Sequence, residues 1–476
     1  LRKLQLSNER IVGIVFVAAM FMSIMDSTIM NVALPTLAHQ FRSTTASAQW
    51  VIVGYLLSTA AVVAASGWFG DRFGTKRMML GAISVFVASS ILCALSRNLG
   101  QLIAFRIVQG LGGGMVMPLG MTMLIRTYPP ERRAQVSRIL MFPTVLAPAT
   151  GPIIGGAIIT GLSWRWIFLV NVPIGVGLLV VGARRLPEHR QSADSRFDLQ
   201  GLFLSAAGLA LLLYALSEGP IVGWATPSVL ISAVLAVASL GYFVRVELQQ
   251  SDPLLDLRLL GDRLFRRMNV VNSFAGAAFL GALFLFSLFV QEGRGYGPLA
   301  SGLTTFPEAV GVIVSMQTVG RLYARVGPRR LMMFGLGLMC ACLVTFAFAG
   351  SGTNLWVIRL LIFAVGFGMG AVILSVQAAA YATISPAEAG HASAIFSTQF
   401  QASAATGIAV LGTILSAVGG RGVVPKPSTF RIDFLVAAAS AFIACVYSLR
   451  INDHDARVTM TRAHSTAPDG ALTPVE

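Results

Sequence analysis

Charge is what this sequence has least of. Only 12% of its 476 residues are Asp, Glu, Lys or Arg, against about 25% in an ordinary soluble chain. That shortage excludes a soluble globular protein of this length. Cysteine is scarce too: Cys93, Cys340, Cys342 and Cys445 all lie in apolar stretches without paired loop spacing, so neither a disulfide framework nor a cysteine-built metal site is implied. No phosphate-binding Walker loop, metal-ligand cluster or catalytic-triad spacing occurs. The expectation is therefore a protein that is not an enzyme, holds no metal or cofactor and is not its own ATP-driven pump.

What the chain has instead is apolar length. Hydrophobic residues make up 55% of it, and mean hydropathy is +0.75. Mostly apolar runs of 18 or more residues recur from end to end, the mark of an all-α integral membrane protein. Fourteen spans are predicted, near 11–34, 48–67, 78–96, 101–125, 139–160, 164–183, 197–217, 226–247, 268–291, 300–320, 331–350, 355–377, 391–418 and 433–450. The first run, Ile11 to Leu34, is too long for a signal-peptide core and is read as a retained helix. The net charge of +15 does not point to nucleic acid, because the bases lie in short loops. If the N-terminus is cytoplasmic, 26 of the 35 Lys and Arg residues fall in intervals assigned inside and 7 outside, with Arg106 and Arg359 within spans. That bias places both termini in the cytoplasm.

The chain also repeats itself. Gly67 to Arg77 reads G-W-F-G-D-R-F-G-T-K-R, and a degenerate copy, G-R-L-Y-A-R-V-G-P-R-R, runs from Gly320 to Arg330, 253 residues on. Gly67, Arg72, Gly74 and the pair Lys76-Arg77 match Gly320, Arg325, Gly327 and Arg329-Arg330, and the same offset carries Arg106 onto Arg359. A duplication of six spans is the simplest account. Residues 1–185 then form an N-terminal six-helix bundle and 268–450 a C-terminal one. The interval 186–267 holds two inserted helices and a linker with Leu254, Leu257, Leu260 and Leu264 at helical spacing, expected to lie as an amphipathic helix on the inner surface. The polar tail 451–476 is expected to be disordered.

At this point four stretches resemble one family. Met25 to Leu37 (M-D-S-T-I-M-N-V-A-L-P-T-L) resembles the first-span signature of fourteen-span drug:proton antiporters of the major facilitator superfamily. Gly67 to Arg77 resembles that family's inner-loop motif, Arg106 to Gly114 (R-I-V-Q-G-L-G-G-G) its fourth-span motif, and Gly151 to Gly156 (G-P-I-I-G-G) its antiporter motif. Thr75 stands where the inner-loop motif usually has a base, and Ala324 replaces the acid in the second copy. The resemblance implies a monomeric multidrug efflux protein of the plasma (inner) membrane. It implies export of hydrophobic or cationic drug-like compounds in exchange for protons, driven by the proton motive force, with drug resistance as the outcome. Export of one dedicated lipid, siderophore or peptide-like metabolite is the alternative.

Individual residues carry the chemistry. Asp26 lies mid-span between apolar neighbours. A carboxylate there costs several kcal/mol unless paired, hydrated or protonated, so it is either a proton carrier or a structural acid paired for good. Asp26 and Arg106 both lie roughly 8–12 Å below the same edge of their spans, which permits pairing; Arg106 could instead only brace backbone carbonyls. Glu308, after Pro307 on the tenth span, is either a second protonation site or a structural acid, with Arg359 at similar depth. Glu292, at a span end, is expected to be solvated. In the inner-loop set Gly67, Asp71, Arg72, Gly74, Lys76 and Arg77, the glycines are expected to allow tight turns; the resemblance implies that this stretch gates, Asp71 pairing with bases and with a helix N-terminus, where a carboxylate is favoured. Gly151, Pro152, Gly155 and Gly156 are expected to bend the fifth span and seal it against a neighbour.

Overall fold

The computed structural model describes residues 8–127, 147–148, 150–188, 198–250, 253, 255–384, 388–419 and 427–453. Among these, thirteen helices are long and apolar enough to cross a membrane. The remaining predicted span, the fifth (139–160), appears in its described part as α6, the apolar helix Thr150–Gly161; 139–146 and 149 lie outside the described residues. The first half runs α1 (Asn8–Gln40), a short α2 (Thr45–Ala48), α3 (Trp50–Phe73), α4 (Thr75–Leu95), α5 (Leu99–Thr127), α6, a short α7 (Trp166–Leu169) and α8 (Asn171–Arg185). The insertion is α9 (Leu199–Val222) and α10 (Pro227–Gln249). The second half is α11 (Arg263–Leu288), α12 (Pro298–Val326), α13 (Pro328–Ala347), α14 (Leu355–Ala380), α15 (Ala389–Gly419) and α16 (Arg431–Ser448).

The duplication is visible in the packing. The helix α5 lies against α3 and α4, as α14 lies against α12 and α13. Lipid is as apolar as leucine, so close contact must come from small side chains. On α5, a β-carbon at Gly112 would stand 2.7 Å from the Ala82 carbonyl, and one at Gly114 2.9 Å from that of Thr59. On α14, one at Gly370 would stand 2.7 Å from the Val312 carbonyl. The glycines of R-I-V-Q-G-L-G-G-G and of its second copy are therefore packing residues.

The two halves meet where α3 packs on α15 and α1 on α11 and α12. The inserted helices pair with each other, and α9 lies along the α3–α15 seam. Leu230, Ile231, Val234 and Val237 on α10 are exposed, as an outermost helix facing lipid requires. In the second half, Phe286, Phe289, Phe346, Phe430 and Phe434 are buried together, with Phe346 and Phe434 ring centres 4.7 Å apart.

Two expectations fail here. Over 255–262 the linker forms a single 3₁₀ turn, Leu257–Gly261, and not an amphipathic helix. Asp256 caps that turn through the Arg258 amide, and Asp262 caps α11 through the Phe265 amide at 2.7 Å, so two capping acids divide the stretch the leucine spacing joined. The interval Gly67 to Arg77 is also no loop. Gly67 to Phe73 is about the last two turns of α3, and Thr75 begins α4. One residue, Gly74 at φ 96°, makes the break, and Gly327 at φ 85° repeats it between α12 and α13. Only glycine adopts that backbone without strain, whereas Gly67 and Gly70 are helical. Of the tail 451–476, expected to be disordered, Ile451 is buried and Asp453 accepts from the Arg329 amide, so its first residues are held; 454–476 lie outside the described residues.

Candidate functional site

In the middle of the first half, α1, α3, α4, α5 and α8 converge on a dry polar knot. Asp26, Ser90, Arg106, Gln109 and Asn171 all have no exposed surface. Arg106 donates through Nη1 to Asp26 Oδ2 and, at 2.7 Å, to Gln109 Oε1. Its Nε donates to the Val51 carbonyl at 3.2 Å. The guanidinium lies 4.2 Å from the centre of the Tyr55 ring, a cation–π contact strengthened by the burial of both side chains. Asp26 Oδ1 accepts from Asn171 at 2.7 Å and from Gln109 at 3.1 Å, and Gln109 also donates to Ser90 at 2.7 Å. The equal depth of Asp26 and Arg106 thus corresponds to direct pairing.

Both carboxylate oxygens of Asp26 accept from side chains on other helices, the kind of further hydrogen bonding an ion pair needs in low dielectric. Arg106 Nη2 and Asn171 Oδ1 have no hydrogen-bond partner among the described residues. Chemically, the arrangement can hold Asp26 as a carboxylate with three donors around it. Neutralising Asp26 would remove the charge that holds Arg106 from one side only.

Sequence reasoning missed Gln109, Asn171, Ser90 and Tyr55. Gln109 had a signal, lying one turn from Arg106 on the same helix face. Asn171 had a weaker one, a lone amide near the start of an apolar run.

The second half does not copy the first. Glu308 is buried on α12, and among the described residues neither carboxyl oxygen has a hydrogen-bond partner. Arg359, the counterpart of Arg106, is only half-buried and stacks 4.7 Å from the Trp356 ring. No ion pair joins it to Glu308 among the described residues.

At the end of the bundle where the two glycine breaks lie, the basic end, Asp71 accepts from Arg126 Nη2 at 2.6 Å. That pair ties α3 to α5 within one half. Glu188, beyond α8, accepts from the Lys76 amide at 3.0 Å and stands 3.7 Å from Arg77 Nε. Asp453, beyond α16, accepts from the Arg329 amide at 2.9 Å. Each half therefore caps the helix after its glycine break with an acid from past its last span.

At the opposite, far end, the antiporter stretch divides its work. A β-carbon at Gly155 would stand 2.9 Å from Ile29 on α1, and one at Gly156 2.6 Å from the Pro298 carbonyl on α12. Gly302 of α12 in turn lies against the backbone of Pro152. The G-P-I-I-G-G segment thus touches its own half with one face and the other half with the next. Glu292, half-buried, accepts from Thr45 across the same boundary, so it is a contact residue and not a solvated span end.

Comparison with known proteins places this geometry in company. A sequence model for the Major Facilitator Superfamily matches residues 16–408 and 308–467. The chain is 34% identical over 406 residues to the "Multidrug resistance protein B homolog" of Mycobacterium tuberculosis (strain ATCC 25618 / H37Rv), covering 84% of this chain and 75% of that one. It is 29% identical over 456 residues to the "Putative multidrug resistance protein MdtD" of Serratia proteamaculans (strain 568), covering 94% of each. Among solved structures, a peptide transporter POT in complex with sulfate superposes with a TM-score of 0.69 at 16% identity, over 94% of this chain and 95% of that one. A bacterial homologue of the human lysosomal transporter Spinster, inward-facing and unoccupied, superposes at 0.67 and 14% identity, over 96% and 99%. At such identities these structures speak for the fold alone.

Proposed function

This chain belongs to the major facilitator superfamily, and we propose that it is a proton-coupled antiporter exporting hydrophobic or cationic drug-like compounds by alternating access. The observation that carries the reading is the dry knot around Asp26, a carboxylate in mid-membrane held by Arg106, Gln109 and Asn171. Intramembrane acids are functional by default, and the multidrug-resistance names of the relatives supply the substrate class. The basic end faces the cytoplasm, both termini lie there, and the protein works as a monomer in the plasma membrane. Two six-helix bundles, bounded near 185 and 268, rock about the central site.

A proton arriving from outside neutralises Asp26 and loosens its hold on Arg106, which permits the return inward. Release of that proton to the cytoplasm restores the charge. A cationic substrate can then pair with the ionised acid, so proton and substrate exclude each other and exchange results. Glu308, buried without a partner, is the candidate second carrier.

The test is efflux from proteoliposomes against an imposed pH gradient, with substrate binding measured in parallel. Asp26→Asn is expected to abolish uphill export while retaining binding and downhill exchange, and Asp26→Glu to keep partial activity. Uphill export by the Asp26→Asn protein would place the carrier elsewhere, with Glu308 next in line.

A further inference from the structure

The far ends of the two halves are joined by a second set of contacts, whose donors, Gln291 and Gln49, lie outside the motifs. Gln291 belongs to the second half. Its Nε2 donates to the Val32 carbonyl of the first half at 3.1 Å and is steadied by Ser287 Oγ at 3.1 Å and Ser301 Oγ at 3.4 Å. Gln49 belongs to the first half, and its Nε2 donates to the Ala409 carbonyl of the second at 3.4 Å. Both glutamines are buried. Each half thus offers an amide and each half offers a backbone carbonyl.

The backbone is shaped to allow this. Gln291 lies in the wide π turn Phe289–Gly293 that ends α11; such turns displace a side chain from the regular helical face and recur at functional positions. On the receiving side, α1 carries Pro35 inside it, which deprives the carbonyl of Asn31, next to Val32, of its helical donor. Gly412 lies directly beneath the Gln49 amide, where any side chain would collide with Oε1.

We propose that Gln291 and Gln49 are a reciprocal pair of amide bolts, positioning residues that hold the far side of the transporter closed. The inference rests on the alternating-access reading above. The choice of group fits the task. A gate has to break on every cycle, and a neutral amide-to-carbonyl hydrogen bond shifts an equilibrium only about two- to ten-fold. A buried ion pair across the same boundary would hold more tightly and would strand two charges when it opened. Two neutral bolts close the gate without trapping it.

The experiment uses full-length protein lacking its native cysteines, in lipid nanodiscs. Spin labels are placed at Leu162→Cys and Gly352→Cys, at the far ends of the first and second halves. Inter-label distances are measured for the parent, Gln291→Leu, Gln49→Leu and the double variant. Each single change is expected to raise the ratio of long to short distances about two- to ten-fold, and the double change to raise it further. Gln49→Leu, on the other half, serves as the independent variant should Gln291→Leu fold poorly. Distance distributions unchanged from the parent in both single variants would overturn the bolts. Uphill efflux of a fluorescent lipophilic cation is followed separately in the parent. Its absence there would count against the antiport reading, while the distance ratios would still judge the bolts.

Discussion

Removing one carboxylate and one guanidinium from water costs several kcal/mol for each ion, and their attraction repays this only with good geometry and further hydrogen bonds. Asp26 and Arg106 have both, through Gln109, Asn171 and the Val51 carbonyl. Arg106→Met is expected to destabilise the protein by about 3–5 kcal/mol, because it leaves a buried charge without its partner. Asp26→Leu combined with Arg106→Met should recover most of that loss and still transport nothing. Thermal unfolding of the two single variants and the double variant in the same lipid measures the coupling. Additive losses would mean that the two side chains do not act as a pair. The pair was legible in the sequence because a charge inside an apolar run is costly and stands out. The amides were not, because an uncharged Gln109 or Asn171 costs less to bury and so leaves less trace in composition. Glu308 was legible as a buried acid, but its lack of a partner depends on where Arg359 points, and stacking on Trp356 took that guanidinium elsewhere.

Helices were the easiest thing to read, since a span's apolar length is fixed by the bilayer. Their ends were harder. Gly67 to Arg77 looked like a loop because it is charged, yet α3 carries its charge to Phe73 and turns on Gly74 alone. Asp71 therefore has a helical neighbourhood, and its partner is Arg126 at the end of α5. That pair is part-exposed, so its contribution to folding is small, about 0–1 kcal/mol. Its effect should fall on the balance between states, where a difference of that size still changes populations several-fold. Asp71→Asn is expected to lower proton-driven efflux about two- to five-fold and to leave expression and substrate affinity unchanged. The exchange Asp71→Arg with Arg126→Asp should restore part of the loss. Unaltered efflux in Asp71→Asn would show the pair to be dispensable. The linker failed as an amphipathic helix for a related reason: leucine spacing reports a possible face, whereas Asp256 and Asp262 as caps decide where a helix starts.

For the whole molecule, the duplication explains the scaffold and its failures explain the function. The glycine breaks, the α5 and α14 packing and the capping acids Glu188 and Asp453 repeat between halves. The buried ion pair does not: the first half holds a paired acid, while the buried Glu308 and Asp433 of the second have no hydrogen-bond partner among the described residues. Under the proposed antiport, that asymmetry would let proton loading differ between halves while the rocking motion stays common to both. That logic needs a direction, and the direction comes from the basic end. The bases there are too many and too one-sided for chance: Arg72, Lys76 and Arg77 in the first half face the same side as Arg325, Arg329 and Arg330 in the second. Bases resist translocation, so this end is expected to remain in the cytoplasm. Single cysteines at the exposed positions Phe73 and Arg330 in a cysteine-free protein should therefore stay unlabelled by an impermeant thiol reagent applied to intact cells, and should label once the membrane is opened. A cysteine at Arg97, at the far end, should label from outside without permeabilisation. The reverse pattern would invert the protein in the membrane, and with it the proposed sense of proton and substrate movement, so export would become uptake.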